Sequence, residues 1–375
     1  MRIGCVGLGR IGTSHVQTLR AVPGVSEVVV ADVDGARAEG LTSPAAEGLA
    51  AVSAVPVEAL LTADLDGLVV TTGSAAHGTW VRAAVDAGLP TFCEKPLATS
   101  LTEILEVAEH VRRSGVAVHV GFQRRFDAGY RAAAEAVRSG ELGFVHTLRG
   151  VASDMLPPAA DFIPGSGGIF RDCLVHDADV IRFVTDREVV SVYAVGGTKG
   201  ADFFAVAGDV DTGAALLTLD DGTIAMLSTS RYNGQGQDVR LEVHGEHGTV
   251  AVGLDDSLAL RSVEPGASQP AGPVHTDFYS RFRPAFADEL AGFVAMVGGS
   301  PSPCTVDDAL EASRVVDGAG RRGPAHHSDE AGELAGEGGA ETGGEGGGDR
   351  GGRPAPRPVP AARRGPGAAA AAARG

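Results

Sequence analysis

The chain has 375 residues, 43% of them hydrophobic, and a formal net charge of −17. That length favours two domains, each burying a core of its own, and the acidic balance argues against a nucleic-acid backbone as partner. Four scattered cysteines, Cys5, Cys93, Cys173 and Cys304, contain no CxxC pair, so neither a disulfide framework nor a structural metal site is expected. No apolar run reaches the roughly 18 residues a membrane span needs. The N-terminus enters a strand-like run with no charged leader, so the expectation is a cytoplasmic protein with no membrane partner.

In chain order, residues 2–8 (RIGCVGL) read as a short buried strand and 11–19 as the helix after it. Residues 25–31, 67–72, 90–93 and 116–121 are further strand-like runs, separated by helical patterns at 77–87 and 101–114. Thr99 or Ser100 can cap the second of these helices, with Glu103 placed as a capping box requires. Strands that alternate with helices imply βαβ units and a parallel sheet. After Gly121 the strands mostly follow one another, at 145–151, 189–195, 212–219, 223–231, 239–244 and 249–253, with helices at 177–184 and 284–297. Asp221-Gly222 supplies the positive φ of a tight hairpin, so this half should be a largely antiparallel sheet. A last helix at 305–316 breaks at Gly318-Ala319-Gly320. From 321 to 375 the only sizeable aliphatic residues are Leu334 and Val359. Such a tail cannot bury enough apolar surface to offset chain entropy, so disorder is expected. Its composition is also what GC-rich DNA encodes in a shifted frame, which leaves a frameshift product or a real segment open.

Gly7-Leu8-Gly9-Arg10-Ile11-Gly12 fits G-x-G-x-x-G at the first strand-to-helix turn. Gly7 permits the turn, Gly9 lets backbone approach a pyrophosphate, and Gly12 allows close helix–strand packing. Asp32, at the end of the second strand, can accept both ribose hydroxyls and would repel a 2′-phosphate, which favours NAD. Arg10 could tolerate that phosphate and leaves NADP open.

Lysine occurs only twice, at Lys95 and Lys199, while arginine supplies the other cationic side chains. A lysine kept at the end of a strand, in Glu94-Lys95-Pro96, points to a compact ammonium at a reacting centre. Asp172 and His176 are four residues apart at the start of an expected helix, hence on one face. Imidazole there can take a proton from an alcohol near neutral pH, with Asp172 orienting it and Asp179 as a further acid. A helix cap with a partly buried histidine is the alternative reading.

Together, the glycine loop, Glu94-Lys95-Pro96, residues 121–127 (GFQRRFD) and Gly168-x3-Asp172-x3-His176 resemble the Gfo/Idh/MocA oxidoreductases, nearest to their inositol 2-dehydrogenases. The resemblance covers residues 1–318. It implies a Rossmann domain (1–121) that binds NAD, then a substrate-binding and oligomerisation α+β domain (122–320) with an open sheet that mediates tetramers. It further implies that Lys95 touches nicotinamide ribose and substrate hydroxyl, that His176 is the base and Asp172 its partner, and that Glu94 holds the lysine turn. Thr72 and His77 line the cofactor side, in a stretch lacking the proline many members carry there. Residues 153–166 depart from the myo-inositol pattern, so Asp154 replaces one hydroxyl contact. Arg125 and Tyr232 are further substrate-contact candidates, equally open to a structural role. The expected reaction is oxidation of a ring secondary alcohol of a cyclitol. A pyranose or aminocyclitol substrate, or a non-catalytic dinucleotide sensor, is the alternative.

Overall fold

The computed structural model describes residues 1–267 and 272–322. Its first part alternates as expected: β1 (Arg2–Val6), α1 (Arg10–Leu19), β2 (Glu27–Ala31), α2 (Gly35–Leu41), β3 (Ala51–Ala54), β4 (Gly67–Val70), α3 (Ser74–Asp86), β5 (Thr91–Glu94), α4 (Leu101–Ser114) and β6 (Val118–Gly121). The strands form one parallel sheet of order β3-β2-β1-β4-β5-β6. That order reverses direction at β1, which opens a crevice beyond the carboxyl ends of β1 and β4. The sequence pattern missed β3 and α2. In β3 only Val52 is a large apolar residue, and an edge strand needs no more than that to bury one face. Ser100 caps α4 by accepting from Glu103 N–H at 3.2 Å, while the Glu103 carboxylate turns towards Arg82 instead of closing the box.

The second part contains α5 (Ala128–Arg138), β7 (Val145–Ser153), α6 (Val175–Thr185), β8 (Val189–Gly197), β9 (Thr212–Leu219), β10 (Ile224–Ser230), β11 (Asp238–Gly245), β12 (Thr249–Val252), α7 (Phe278–Val297) and α8 (Val306–Arg322). Its sheet has the order β12-β11-β7-β10-β9-β8, with β7 and β10 parallel and all other neighbours antiparallel. The β9–β10 hairpin turns through Gly222 at φ +89°. Along β9 the side chains alternate, with Ala215, Leu217 and Leu219 buried and Leu216 46% exposed, so one face is covered and the other is open.

Three elements differ from the sequence expectation. The helix placed at 284–297 begins at Phe278, capped by Asp277, which accepts from Ser280 N–H at 2.8 Å. The backbone kinks at Phe282 (φ −113°, ψ 16°), so Pro284 falls in the first turn of the following segment, where its missing N–H removes no hydrogen bond. The helix at 305–316 does not break at Gly318 but runs to Arg322. Val316 and Ala319 are buried there, and Gly318 lies so close to Val192 that a Cβ would sit 2.8 Å from its Cγ1. Packing outweighs weak helix propensity. The expectation for the tail falls, beyond Arg322, outside the described residues. Finally, Phe170–Leu174 is a π-helical turn leading into α6, which alters the register on which the Asp172–His176 pairing was based. No helix among the described residues is long and apolar enough to cross a membrane.

Candidate active site

The dinucleotide loop lies in the crevice. Gly7 has φ +88°, and a Cβ there would sit 2.5 Å from the Thr72 backbone. A Cβ on Gly12 would sit 2.0 Å from the Gly7 carbonyl oxygen, so the helix can lie this close to the strand only without one. Gly9 has open space where its Cβ would be, and the first amides of α1 are left to meet an anion. Asp32 is locked beside this loop: Leu8 N–H donates to Oδ2 at 2.5 Å and Asp34 N–H to Oδ1 at 2.8 Å. The exposed Arg10 guanidinium stands 5.7 Å from the Phe278 ring and 5.9 Å from the Tyr279 ring, at the start of α7. Ile11 follows within α1. These residues fit a dinucleotide that carries free ribose hydroxyls.

His77 ties two turns together, with Nδ1 2.7 Å from the Pro96 carbonyl oxygen and Nε2 3.0 Å from that of Thr72. Glu94, the last residue of β5, is buried and bonded to His15 Nε2 of α1 at 2.7 Å. The turn that follows presents Lys95, whose side chain is 15% exposed.

Lys95 meets Asp172. Its Nζ donates to the Asp172 carbonyl oxygen at 2.8 Å and to Oδ1 at 3.0 Å. The other carboxylate oxygen accepts from Arg231 at 2.8 Å. Asp172 therefore does not pair with His176. In a π turn, hydrogen bonding steps from i to i+5, and the carboxylate swings towards the two cations. Burial opposes the charge of Asp172, but Lys95 and Arg231 hold its pKa down to about 2. Burial likewise works against the ammonium, and the Asp172 carboxylate more than offsets it, so the Lys95 pKa lies above the usual lysine value. Burial, then the cations Lys95 and Arg124, push His176 well below the ordinary imidazole range. His176 is thus neutral, its Nδ1 is buried with no hydrogen-bond partner among the described residues, and its ring stands edge-on to Phe122 at 5.7 Å.

Of the substrate-contact candidates, Asp154 lies in this cluster, accepting from Arg231 at 3.2 Å and from Gln237 at 3.1 Å. Arg125 does not. It is 8% exposed and forms a forked pair with Asp179 at 2.7–3.1 Å, reinforced by Asp308 at 3.1 Å, between β6, α6 and α8. Asp179 is thereby unavailable to His176. Tyr232 is 39% exposed, and its hydroxyl accepts from Ala201 N–H at 2.9 Å, which props a neighbouring loop. Sequence reasoning missed Arg231 and Gln237. The available signal was an arginine closing an otherwise uncharged strand.

The description "Oxidoreductase family, NAD-binding Rossmann fold" matches residues 1–122, and "GFO/IDH/MocA C-terminal domain" matches residues 130–251. The chain is 38% identical over 302 residues to the myo-inositol dehydrogenase Hyg17 of Streptomyces leeuwenhoekii, covering 80% of this chain and 90% of that protein. It is 34% identical over 310 residues to the scyllo-inositol 2-dehydrogenase (NAD(+)) of Bacillus subtilis, covering 82% and 89%. The crystal structure of myo-inositol dehydrogenase from Lactobacillus casei in complex with NAD(H) and myo-inositol superposes with a TM-score of 0.72 at 26% identity, over 86% of this chain and 94% of that one. With its cofactor cradle at β1 and its lysine at the end of β5, the chain belongs to the GFO/IDH/MocA family of NAD-dependent oxidoreductases.

Proposed function

We propose that this chain oxidises a ring secondary alcohol of a cyclitol, of the myo- or scyllo-inositol kind, to the ketone. The observation that carries this reading is the Lys95–Asp172 pair at 3.0 Å, beside a neutral His176 and two strands from the glycine loop. Bound NAD supplies the hydride acceptor. Residues 1–121 would hold it, with Gly7 and Gly12 shaping the turn, Gly9 and Ile11 at the start of α1 meeting the pyrophosphate, and Asp32 the ribose. Residues 122–320 shape the substrate side.

Within that frame Lys95 donates to the substrate oxygen and stabilises the negative charge that grows on it as the hydroxyl proton departs. His176, already neutral, accepts that proton. Its depressed basicity makes it a weaker base than free imidazole, so Lys95 must carry part of the work by acidifying the alcohol. Two cations, Lys95 and Arg231, face two carboxylates, Asp172 and Asp154. This balanced set suits an uncharged polyol, whose hydroxyls Asp154 can accept.

Two further assignments belong to the reading. The open sheet face carries a row of Tyr193, Leu216 and Met226 in register on β8, β9 and β10, each at least 40% exposed. Such a patch supports association of copies of this chain into a tetramer. All four cysteines are free thiols, in keeping with a reducing cytoplasmic compartment.

The test is a panel of cyclitols, aminocyclitols and pyranoses assayed by NADH absorbance, with His176→Ala as control. An inositol should be oxidised best, and His176→Ala should lose about 10²–10⁴ in rate while still binding NAD. A preference for a pyranose, or near-native turnover in His176→Ala, would overturn the assignment.

A further inference from the structure

The terminal nitrogens of Arg231 link three groups of the site. Three strand ends bring it to the site. β7 and β10 are parallel neighbours with Ser153 opposite Ser230, so the next residues, Asp154 and Arg231, emerge side by side. β11 runs antiparallel to β7 with Asp238 opposite Ser153, which sets Gln237 against Asp154 from the other side. Backbone bonds fix the convergence: Asp154 N–H donates to the Ser230 carbonyl oxygen at 2.9 Å, and Arg231 N–H to that of Asp211 at 2.8 Å. The Arg231 guanidinium, 3% exposed, then spans Asp172 at 2.8 Å, Asp154 at 3.2 Å and Cys173 Sγ at 2.9 Å.

We propose that Arg231 is a positioning residue that holds the Asp172 carboxylate on Lys95 and the Asp154 carboxylate on the substrate side, coupling proton chemistry to substrate recognition through one fork. The inference rests on the dehydrogenase reading above. A planar guanidinium can serve two carboxylates in fixed directions at once, whereas an ammonium is a single rotatable point charge. The charged groups facing Asp172 are Lys95, from the end of β5, and Arg231, from the end of β10; Asp154 stands behind Arg231. Without the fork, Asp172 keeps Lys95 alone, and Asp154 keeps the Gln237 amide and the Cys173 thiol, both uncharged. The first change raises the pH at which Asp172 takes up a proton. The second loosens the hold on substrate hydroxyls.

The experiment compares Arg231→Gln, Arg231→Lys and Asp154→Asn in the full chain, after circular dichroism and NAD titration show each to be folded and cofactor-competent. For Arg231→Gln, kcat/KM for the best cyclitol should fall about 10- to 100-fold, the size of a lost charge-assisted hydrogen bond. The Asp172 carboxyl, followed by 13C titration without turnover, should take up its proton about one pH unit higher. Arg231→Lys should bring that titration back towards the native position while KM stays raised. Asp154→Asn should raise KM and leave the Asp172 titration in place. An unmoved Asp172 titration in folded Arg231→Gln, whatever the loss in kcat, overturns the proposal, as does full rescue of both readouts by lysine. Failure of the native chain to oxidise any cyclitol would therefore count against the function alone, and an unshifted carboxylate against this inference.

Discussion

Replacing Lys95 by Met keeps the length of the side chain and removes only its charge and donors. The ammonium stands 3.0 Å from Asp172 Oδ1, an attraction of about 5 kcal/mol at an effective dielectric of about 20. Desolvation of a side chain only 15% exposed cancels much of that, and Arg231 still holds Asp172, so folding stability should fall by less than the about 3–5 kcal/mol that breaking a buried pair outright costs. Catalysis should suffer more. A donor aimed at charge that develops on the reacting oxygen contributes about 10²–10³ in kcat, and nothing else in the cluster can replace it, since Arg231 is occupied by two carboxylates. The acid limb should also rise, because the base His176 loses one of the two cations that, with burial, push its pKa down. Steady-state NADH formation across pH, with calorimetric NAD titration to confirm cofactor binding, measures both effects. Lys95→Arg should fail nearly as badly, since its wider fork cannot reproduce two bonds to Asp172 from one nitrogen. Lys95→Met turning over within about threefold of the native rate would refute the role of the ammonium outright.

Native enzyme should use NAD more efficiently than NADP, and Asp32→Ala should narrow the ratio of the two kcat/KM values by removing the carboxylate locked on Leu8 N–H; a native preference for NADP would show that Asp32 does not select the cofactor. In α8, Ala319→Glu places a charge where the native methyl is fully buried, so stability should fall by about 3 kcal/mol or more and Tm by several degrees. An unchanged melting curve would mean that the helix does not pack through Ala319.

Much of this molecule was legible along the chain because its signals are local. A glycine loop between a strand and a helix states its own geometry, since Gly7 must take a positive φ and Gly12 must touch strand backbone. Lys95 was conspicuous as one of two lysines at the end of an apolar run. Alternating burial in β9 and the Asp-Gly turn likewise need only neighbours in sequence. The partners of charged groups were not legible. Asp172 and His176 looked paired because helical spacing puts i and i+4 on one face, yet a π turn and two distant cations redirected the carboxylate. Arg125 was as open to a structural role as to substrate, and the packing of α6 and α8 against the end of β6 supplied Asp179 and Asp308. The end of α8 was misread because glycine weakens a helix only until a neighbour such as Val192 requires the close approach. Arg231 became visible only when the parallel pairing of β7 with β10 set its strand end beside that of Asp154. Sequence determined which chemical groups are present and which turns they sit on. Tertiary register decided which charges meet, because a buried ion must find a partner and strands far apart in sequence brought those partners to it.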